Sequence, residues 1–378
     1  MAEKRADVAI VGAGILGLAH AWHAARAGKR VVIFERHPQA QGASVRNYGL
    51  IWPIGQAAGF LHQTAMRSRE LWTDILNTYK LPSLATGSMH VCYRDDEADV
   101  AKEFCTLAPK QGYTCEWLEP KRAIEKCDAL RPHGLKGALF SPTEITIDAR
   151  TVMRELPRLL GERYRVETRF GYPVRRIELP VVETSEESWR VESAIVCTGD
   201  DFETLFPADY KASGLSRCKM QMLRTVPQPK GWKLGPALAG GITMRSYGAF
   251  AMCTSLDALK KRIASENPKY ERWGVHVIVS QHGGGELTIG DSHEYGQTTD
   301  FFDKADIEDL ILDTLDSFTM FPDRTIAQRW NGVFAGHPEK PIVVATPAKG
   351  VLIVTGAGGA GLTLGLGLAE RICKKFFE

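Results

Sequence analysis

Apolar and polar positions follow three patterns along this 378-residue chain, and the order of those patterns is the first information in it. Asp7 to Val11 is a short apolar run, the pattern of a buried strand. Ile15 to Ala27 puts apolar residues at three-to-four spacing with no proline, which predicts a helix, and Gly28 follows as its stop. Arg30 to Phe34 is a second strand-like run. Helical spacing returns at Phe60–Tyr79, Glu97–Gln111, Glu119–Lys126, Ile147–Leu160 (with Asp148 as N-cap and Gly161 as stop) and Lys304–Phe318. Strand patterns fall at Gly87–Tyr93, Cys115–Leu118, Leu135–Phe140, Arg163–Phe170, Val174–Leu179 and Arg190–Cys197. From Arg217 onward the runs CKMQMLRT, GITMRSYGAF, VHVIVSQ and ELTIG alternate as strands joined by Gly and Pro turns, the pattern of an antiparallel sheet. Arg329–Phe334 and Pro341–Ala345 read as short strands before a closing strand–glycine–helix unit.

The first strand, helix and second strand form a βαβ unit with Gly12, Gly14 and Gly17 at the turn and Glu35 ending the second strand. G-x-G-x-x-G in that setting is built for a dinucleotide. Gly12 permits the tight turn, Gly14 lets the backbone approach a pyrophosphate, and Gly17 allows close helix–strand packing. The pyrophosphate sits at the positive end of the helix. A carboxylate at Glu35 accepts from ribose hydroxyls and repels a 2′-phosphate, which argues against NADP. Residues 351–369 are long and uncharged enough to imitate a membrane span. Glycines at 356, 358, 359 and 361 would break that helix in its middle, so strand, turn and helix is the better reading.

The dinucleotide fold is thus laid down in pieces, 1–80, 146–211 and 321–378, with a second domain made of the inserts 81–145 and 212–320. The class is α/β, a Rossmann-like domain carrying an inserted antiparallel-sheet α+β domain. Net charge is +2 with no long run of one sign, which gives no electrostatic support for a nucleic-acid or membrane-surface role. The eight cysteines form no C-x-x-C and no Cys/His pair at metal spacing, so no metal is expected and a reduced cytoplasmic chain is. No signal peptide fits the N-terminus.

This order of pieces resembles the D-amino-acid oxidase-like FAD-dependent oxidoreductases, the group of glycine and sarcosine oxidases. The motifs that carry the resemblance are the opening βαβ unit, GASVRNYG, VESAIVCTGD, QMLRT, TIGDSHEYG and the closing VLIVTGAGGAGLTLGLGLAERI. SVRNYGLIWPIGQ with GDSHEYG is similar to a narrower branch, associated with bacterial phosphonate-degradation gene clusters and oxidases of aminoethylphosphonates. The resemblance implies FAD, with Gly12, Gly14 and Gly17 and the intervening Ile15 and Leu16 at the pyrophosphate and Glu35 and Arg36 at the adenosine ribose. It implies Ser44, Arg46, Asn47 and Gly49 along the phosphate and isoalloxazine side, and Val174 at the adenine. Thr198 and Gly199 come near the pyrophosphate, and Gly358, Gly359, Gly361, Leu362 and Thr363 border the flavin pyrimidine ring. Relatives with covalent flavin use a Cys or His that this chain lacks, so the FAD is expected to be non-covalent. The Arg that anchors carboxylate in many relatives is replaced by Phe334 or Ala335 within RWNGVFAGHPEK.

Flavin amine oxidation asks little of protein side chains beyond excluding water, orienting the substrate and keeping the amine deprotonated. An anionic substrate group needs Arg, Tyr or His donors. The candidates are Arg46, Arg245, Tyr247, His276, His293, Arg329 and His337, with Gln281 and Tyr295 beside them. Arg245 equally fits a solvated strand face, and Tyr247 would share that face. His276 fits a satisfied core histidine, His293 a surface turn, and Arg329 a structural ion pair. Trp52 and Trp330 read as packing, with a pocket wall as the alternative. The expected activity is oxidation of a small amine bearing an anionic group, an amino acid or an aminoalkylphosphonate with or without N-methylation, to an imine that hydrolyses. Oxygen or another acceptor would take the electrons. The alternatives are an NAD-linked dehydrogenase and a non-catalytic flavin-binding subunit. The surplus of donors in place of one carboxylate anchor favours phosphonate.

Overall fold

The computed structural model describes residues 4–378. Six strands form the dinucleotide sheet in the order Glu167–Phe170, Val31–Glu35, Val8–Val11, Ser193–Val196, Val351–Thr355, Val343–Ala348. All neighbours are parallel except the last pair. The three strands nearest the centre are apolar at nearly every position because helices and a second layer bury both faces. Ile15–Arg26, Ala149–Tyr164 and Gly361–Phe377 join Phe60–Tyr79 in one core with Val8, Ile10, Ile33 and Val354. Each buried Ile or Leu there contributes roughly 1.5–3 kcal/mol. The opposite face packs on a four-stranded sheet that includes Val174–Glu178 and Ser188–Arg190.

Two of the opening glycines are set by packing. Gly12 has φ +103°, and a Cβ there would lie 2.4 Å from the Cys197 carbonyl oxygen. A Cβ on Gly17 would lie 1.9 Å from the Gly12 carbonyl oxygen, so helix and turn can meet only through a bare backbone. Trp72 is fully buried and its indole N–H donates to the Leu362 carbonyl at 2.8 Å, fastening the 60–79 helix to the closing glycine turn.

The second domain is a nine-stranded mixed sheet. Its pairs are antiparallel except Ala237–Gly240 beside Ser88–Cys92, which is parallel. Three expectations change here. Residues 241–252 are not a strand: after Ala237–Gly240 the chain turns into two 3-10 segments, Gly241–Ser246 and Gly248–Met252. The Gly-rich start and the Ser-Tyr-Gly break supply turns that the apolar alternation concealed. The helix opened by Asp148, whose carboxylate accepts from Thr151 N at 3.1 Å, passes through Gly161 to Tyr164, so the next strand starts only at Glu167. Ile326–Gly336 is a single long strand that pairs with Ser216–Thr225, so this part of segment 321–378 belongs to the second sheet. Among the described residues no helix is long and apolar enough to cross a membrane.

Candidate active site

Two adjoining cavities run along the seam between the sheets. The first, about 550 Å³, is lined by the Gly12–Gly14 turn, Glu35 and Arg36 at the end of the second strand, Val174, and the Thr198–Asp201 loop. The helix N-terminus points into it with Gly14 as a cap that offers no side chain. Ser44 Oγ accepts from Ile15 N at 2.9 Å and closes the turn from the opposite side. Glu35 Oε2 accepts from Ala13 N at 2.9 Å, which locks the carboxylate beside the glycine turn.

The second cavity, about 920 Å³, shares Ile15, Ser44, Phe334 and the 356–361 turn with the first and continues into the second domain. Its walls are Tyr48, Trp52, Tyr247, His276, Asp291, His293 and Tyr295, with His337 and Lys340 at one side. The aromatic rings form a row: Trp52–Tyr247 at 6.3 Å, Tyr247–His276 at 5.7 Å, His276–His293 at 4.9 Å and His293–Tyr295 at 6.2 Å between centroids. Four buried polar atoms on this wall have no hydrogen-bond partner among the described residues: Tyr48 Oη, Trp52 Nε1, His276 Nδ1 and Asp291 Oδ1. Buried polar groups are nearly always satisfied, so these four atoms give the cavity a polar wall that a ligand could meet. Burial raises the Asp291 carboxyl to about 6 and holds His276 well below the usual imidazole range, so His276 is neutral. Burial also raises the Tyr48 and Tyr247 phenols, and the charge of Asp291 adds to both shifts.

Residues 7–375 match the family model described as FAD dependent oxidoreductase. The chain belongs to this family. It is 27% identical over 153 residues to a glycine oxidase of Geobacillus kaustophilus, 38% of this chain and 41% of that protein. It is 28% identical over 143 residues to a polypeptide of the anaerobic glycerol-3-phosphate dehydrogenase of Escherichia coli K12, 37% of this chain and 26% of that one. The matches therefore span less than half of these curated relatives. Among solved structures, the Bacillus cereus glycine oxidase superposes with TM-score 0.78 at 17% identity, covering 98% of this chain and 95% of the other. The FAD-bound α-glycerophosphate oxidase of Mycoplasma pneumoniae superposes with TM-score 0.71 at 16% identity, covering 98% and 95%. The fold is that of the glycine oxidase structures, as the opening and closing glycine units imply.

In this FAD-dependent oxidoreductase the first cavity suits an adenosine diphosphate: a capless helix N-terminus, a turn that tolerates no Cβ at Gly12, and an acidic residue at the strand end. Gly12, Gly14, Ile15, Leu16, Glu35, Arg36, Ser44, Val174, Thr198 and Gly199 line it. Asn47, Gly358, Gly359, Gly361, Leu362 and Thr363 line the second cavity, where the flavin ring would lie. Three residues expected at the cofactor line neither. Gly17 is occupied by packing on Gly12, and Gly49 sits against the Ile147 carbonyl, where a Cβ would come within 2.0 Å. Arg46 turns away, Nε donating to the Gln41 carbonyl at 2.7 Å and Nη1 to the Asn331 carbonyl at 3.1 Å.

The substrate candidates divide in the same way. Tyr247, His276, His293 and His337 line the second cavity. Arg245 does not: its guanidinium donates to the carbonyls of Ile242, Tyr270 and Val275 at 2.8, 3.1 and 2.7 Å and is used up as a backbone clamp. The 3-10 turn, rather than a strand, is why Arg245 and Tyr247 do not share a face. Arg329 stands on the exposed side of its strand in a bidentate pair with Glu308 at 2.7–2.9 Å. Asp291 is a site residue that the sequence reading misses. It lies inside GDSHEYG, two positions before His293, in the irregular stretch between the strands Leu287–Gly290 and Glu294–Gly296. Sequence spacing also conceals that the donor atoms of His276, Asp291 and His293 lie within 4.8 Å of one another.

Proposed function

We propose that this chain oxidises a small amine bearing an anionic group to an imine that hydrolyses to an aldehyde or keto acid, with FAD held non-covalently and oxygen or another acceptor taking the electrons. The observation that carries the reading is the set of four unpartnered buried polar atoms around the cavity that adjoins the dinucleotide groove. When bound, FAD accepts a hydride equivalent from the C–H next to nitrogen. The side chains here do the rest: Trp52, Tyr247 and Phe334 wall out water, and the polar wall orients the substrate. Lys340 and His337 supply positive and donor groups for an anion. The His337 Nδ1 accepts from Glu339 N and Lys340 N at 3.0 and 2.9 Å, so its hydrogen is on Nε2.

The anion is narrower to argue. With Arg46, Arg245 and Arg329 outside the cavity, the cationic and donor groups left for it at the side away from Asp291 are Lys340 and His337. The curated and structural relatives include proteins named for glycerol-3-phosphate and α-glycerophosphate, compounds that carry a tetrahedral phospho anion. Together with the branch resemblance, this favours an aminoalkylphosphonate, with or without an N-methyl group. We place the protein in the cytoplasm on its eight free thiols. Anaerobic mixing with amino acids, N-methyl amino acids and aminoalkylphosphonates tests the function. Bleaching of the flavin by an aminoalkylphosphonate ahead of glycine or sarcosine is the expected result. Bleaching by none of them would mean a flavin-binding protein without this activity, and a colourless purified protein would return the NAD reading.

A further inference from the structure

The cavity's charge is lopsided. His276 is neutral, the Tyr48 and Tyr247 phenols are neutral, and the one charged side chain deep in the wall is Asp291. Its Oδ1 makes no well-aligned hydrogen bond among the described residues, its neighbours being the Tyr48 phenol and the His276 imidazole, although Asp291 is only 3% exposed. It lies 3.3 Å from His276 Nε2 and 3.9 Å from His293 Nδ1. Backbone bonds fix the carboxylate in place: His276 N donates to the Asp291 carbonyl at 3.1 Å, and Asp291 N to the His276 carbonyl at 2.7 Å. A buried carboxylate whose neighbours are phenols and imidazoles, with no lysine or arginine beside it, repels an anion and is costly unless a cation meets it.

We infer that Asp291, flanked by His276 and His293, is the subsite for the substrate's ammonium group: its carboxylate pairs with that charge and takes the proton the amine must lose before oxidation. In that step one N–H bond breaks, its electron pair stays on nitrogen, and the proton forms an O–H bond on Asp291. The neutral amine left behind can then release the hydride equivalent from the adjacent carbon. The substrate's anion is thereby directed away from Asp291, towards Lys340 and His337. This assignment rests on the amine-oxidation reading for its chemistry but not for its test.

The probe is tetramethylammonium, whose charge does not titrate and which has no lone pair and so cannot be oxidised. It is titrated into the FAD-loaded enzyme and followed by the flavin absorbance. The groups facing Asp291 are Tyr48, Tyr247, His276, His293, Tyr295 and Cys218. With the carboxyl at about 6, the affinity of wild type should fall about tenfold from pH 8 to pH 5. Asp291→Asn should bind the probe about tenfold more weakly at pH 8 and lose that acid limb, whereas His293→Gln keeps it. Methylphosphonate, an anion without an amine, should bind Asp291→Asn at least as well as wild type. Three results overturn the inference: probe affinity indifferent to both pH and the Asn substitution, equal loss of methylphosphonate binding, or a stoichiometric divalent metal at this site that the probe cannot displace. If Asp291→Asn fails to hold flavin, the pH series on wild type and His293→Gln decides alone. Absence of flavin reduction by every amine would defeat the oxidase reading yet leave this titration interpretable.

Discussion

Replacing Gly14 by valine should remove FAD from a protein that stays folded. Of the three opening glycines, Gly14 alone has ordinary extended backbone, φ −73° and ψ 175°, which any residue can adopt. A Cβ built there meets only Ser44 Oγ, at 3.2 Å, whereas one on Gly12 or Gly17 runs into a backbone carbonyl at 2.4 or 1.9 Å. The structural cost of the valine is therefore a small displacement of Ser44. At worst this loses its hydrogen bond from Ile15 N, about 1 kcal/mol. In a chain of this length that lowers the melting temperature by about 1 °C. The cost to the cofactor is larger, because the valine methyls project into the groove in front of the helix N-terminus. Losing two charge-assisted hydrogen bonds to the pyrophosphate, roughly 1.5–3 kcal/mol each, weakens binding by about two to four orders of magnitude. The assay is the flavin-to-protein absorbance ratio, titration of apoprotein with FAD, and a thermal melt, with Gly12→Val as the variant expected to misfold. A wild-type flavin ratio in Gly14→Val would refute the placement of the phosphate site. Misfolding as severe as that of Gly12→Val would refute the claim that Gly14 faces open space.

Acid precipitation should release all of the yellow colour to the supernatant, and colour kept in the pellet would show a covalent link. Arg329→Ala should leave both the apparent Michaelis constant and the melting temperature within error, since an exposed pair with Glu308 contributes about 0–1 kcal/mol; a tenfold rise in the Michaelis constant would return Arg329 to the pocket. His20, His90 and His282 are held by burial at about 4, 3 and 4, so the unfolded chain takes up protons first as pH falls below 6.5. Their stabilisation, of order 3 kcal/mol each, is fully present above pH 6.5 and lost as pH falls towards 4; His90→Leu should flatten the fall in melting temperature across that window, and an unchanged slope would contradict it.

The dinucleotide half of this protein was legible because each of its signals is local. A strand, a spaced glycine turn, a periodic helix and a terminal Glu35 lie within about thirty residues, and the backbone geometry they require leaves few alternatives. The substrate half was legible as a sheet but not as a site. Whether an arginine enters a cavity depends on which carbonyls compete for it. For Arg245 those belong to Ile242, Tyr270 and Val275, and only the fold brings them together. Alternation likewise misplaced 241–250, since Gly, Ser and Thr fit a 3-10 turn as well as a strand and tertiary packing decides. Asp291 was hidden by its chemistry, because an acidic residue in a polar Gly-Asp-Ser turn reads as exposed. Only the pairing of its backbone with His276 buries it.

The positions of the arginines explain the character of the chamber. Its walls hang from different sheets and are tied across the seam: Trp52 N donates to Thr363 Oγ1 at 2.9 Å, Ser280 Oγ to the Tyr48 carbonyl at 2.8 Å, and Trp330 Nε1 to the Arg46 carbonyl at 3.1 Å. Arg46 and Arg245 belong to the same fastening, donating to the backbone of 331, on the strand that carries Phe334, and of 275, beside His276. A guanidinium bound to two or three carbonyls has few donors left for substrate. With their cations turned into the scaffold, the walls keep neutral aromatic rings, neutral imidazole and a single deep carboxylate, so the innermost recognition is of positive charge. Selectivity for the anion then falls to the Lys340 and His337 side. Substrates of this enzyme should therefore vary in their anionic group more readily than in their amine.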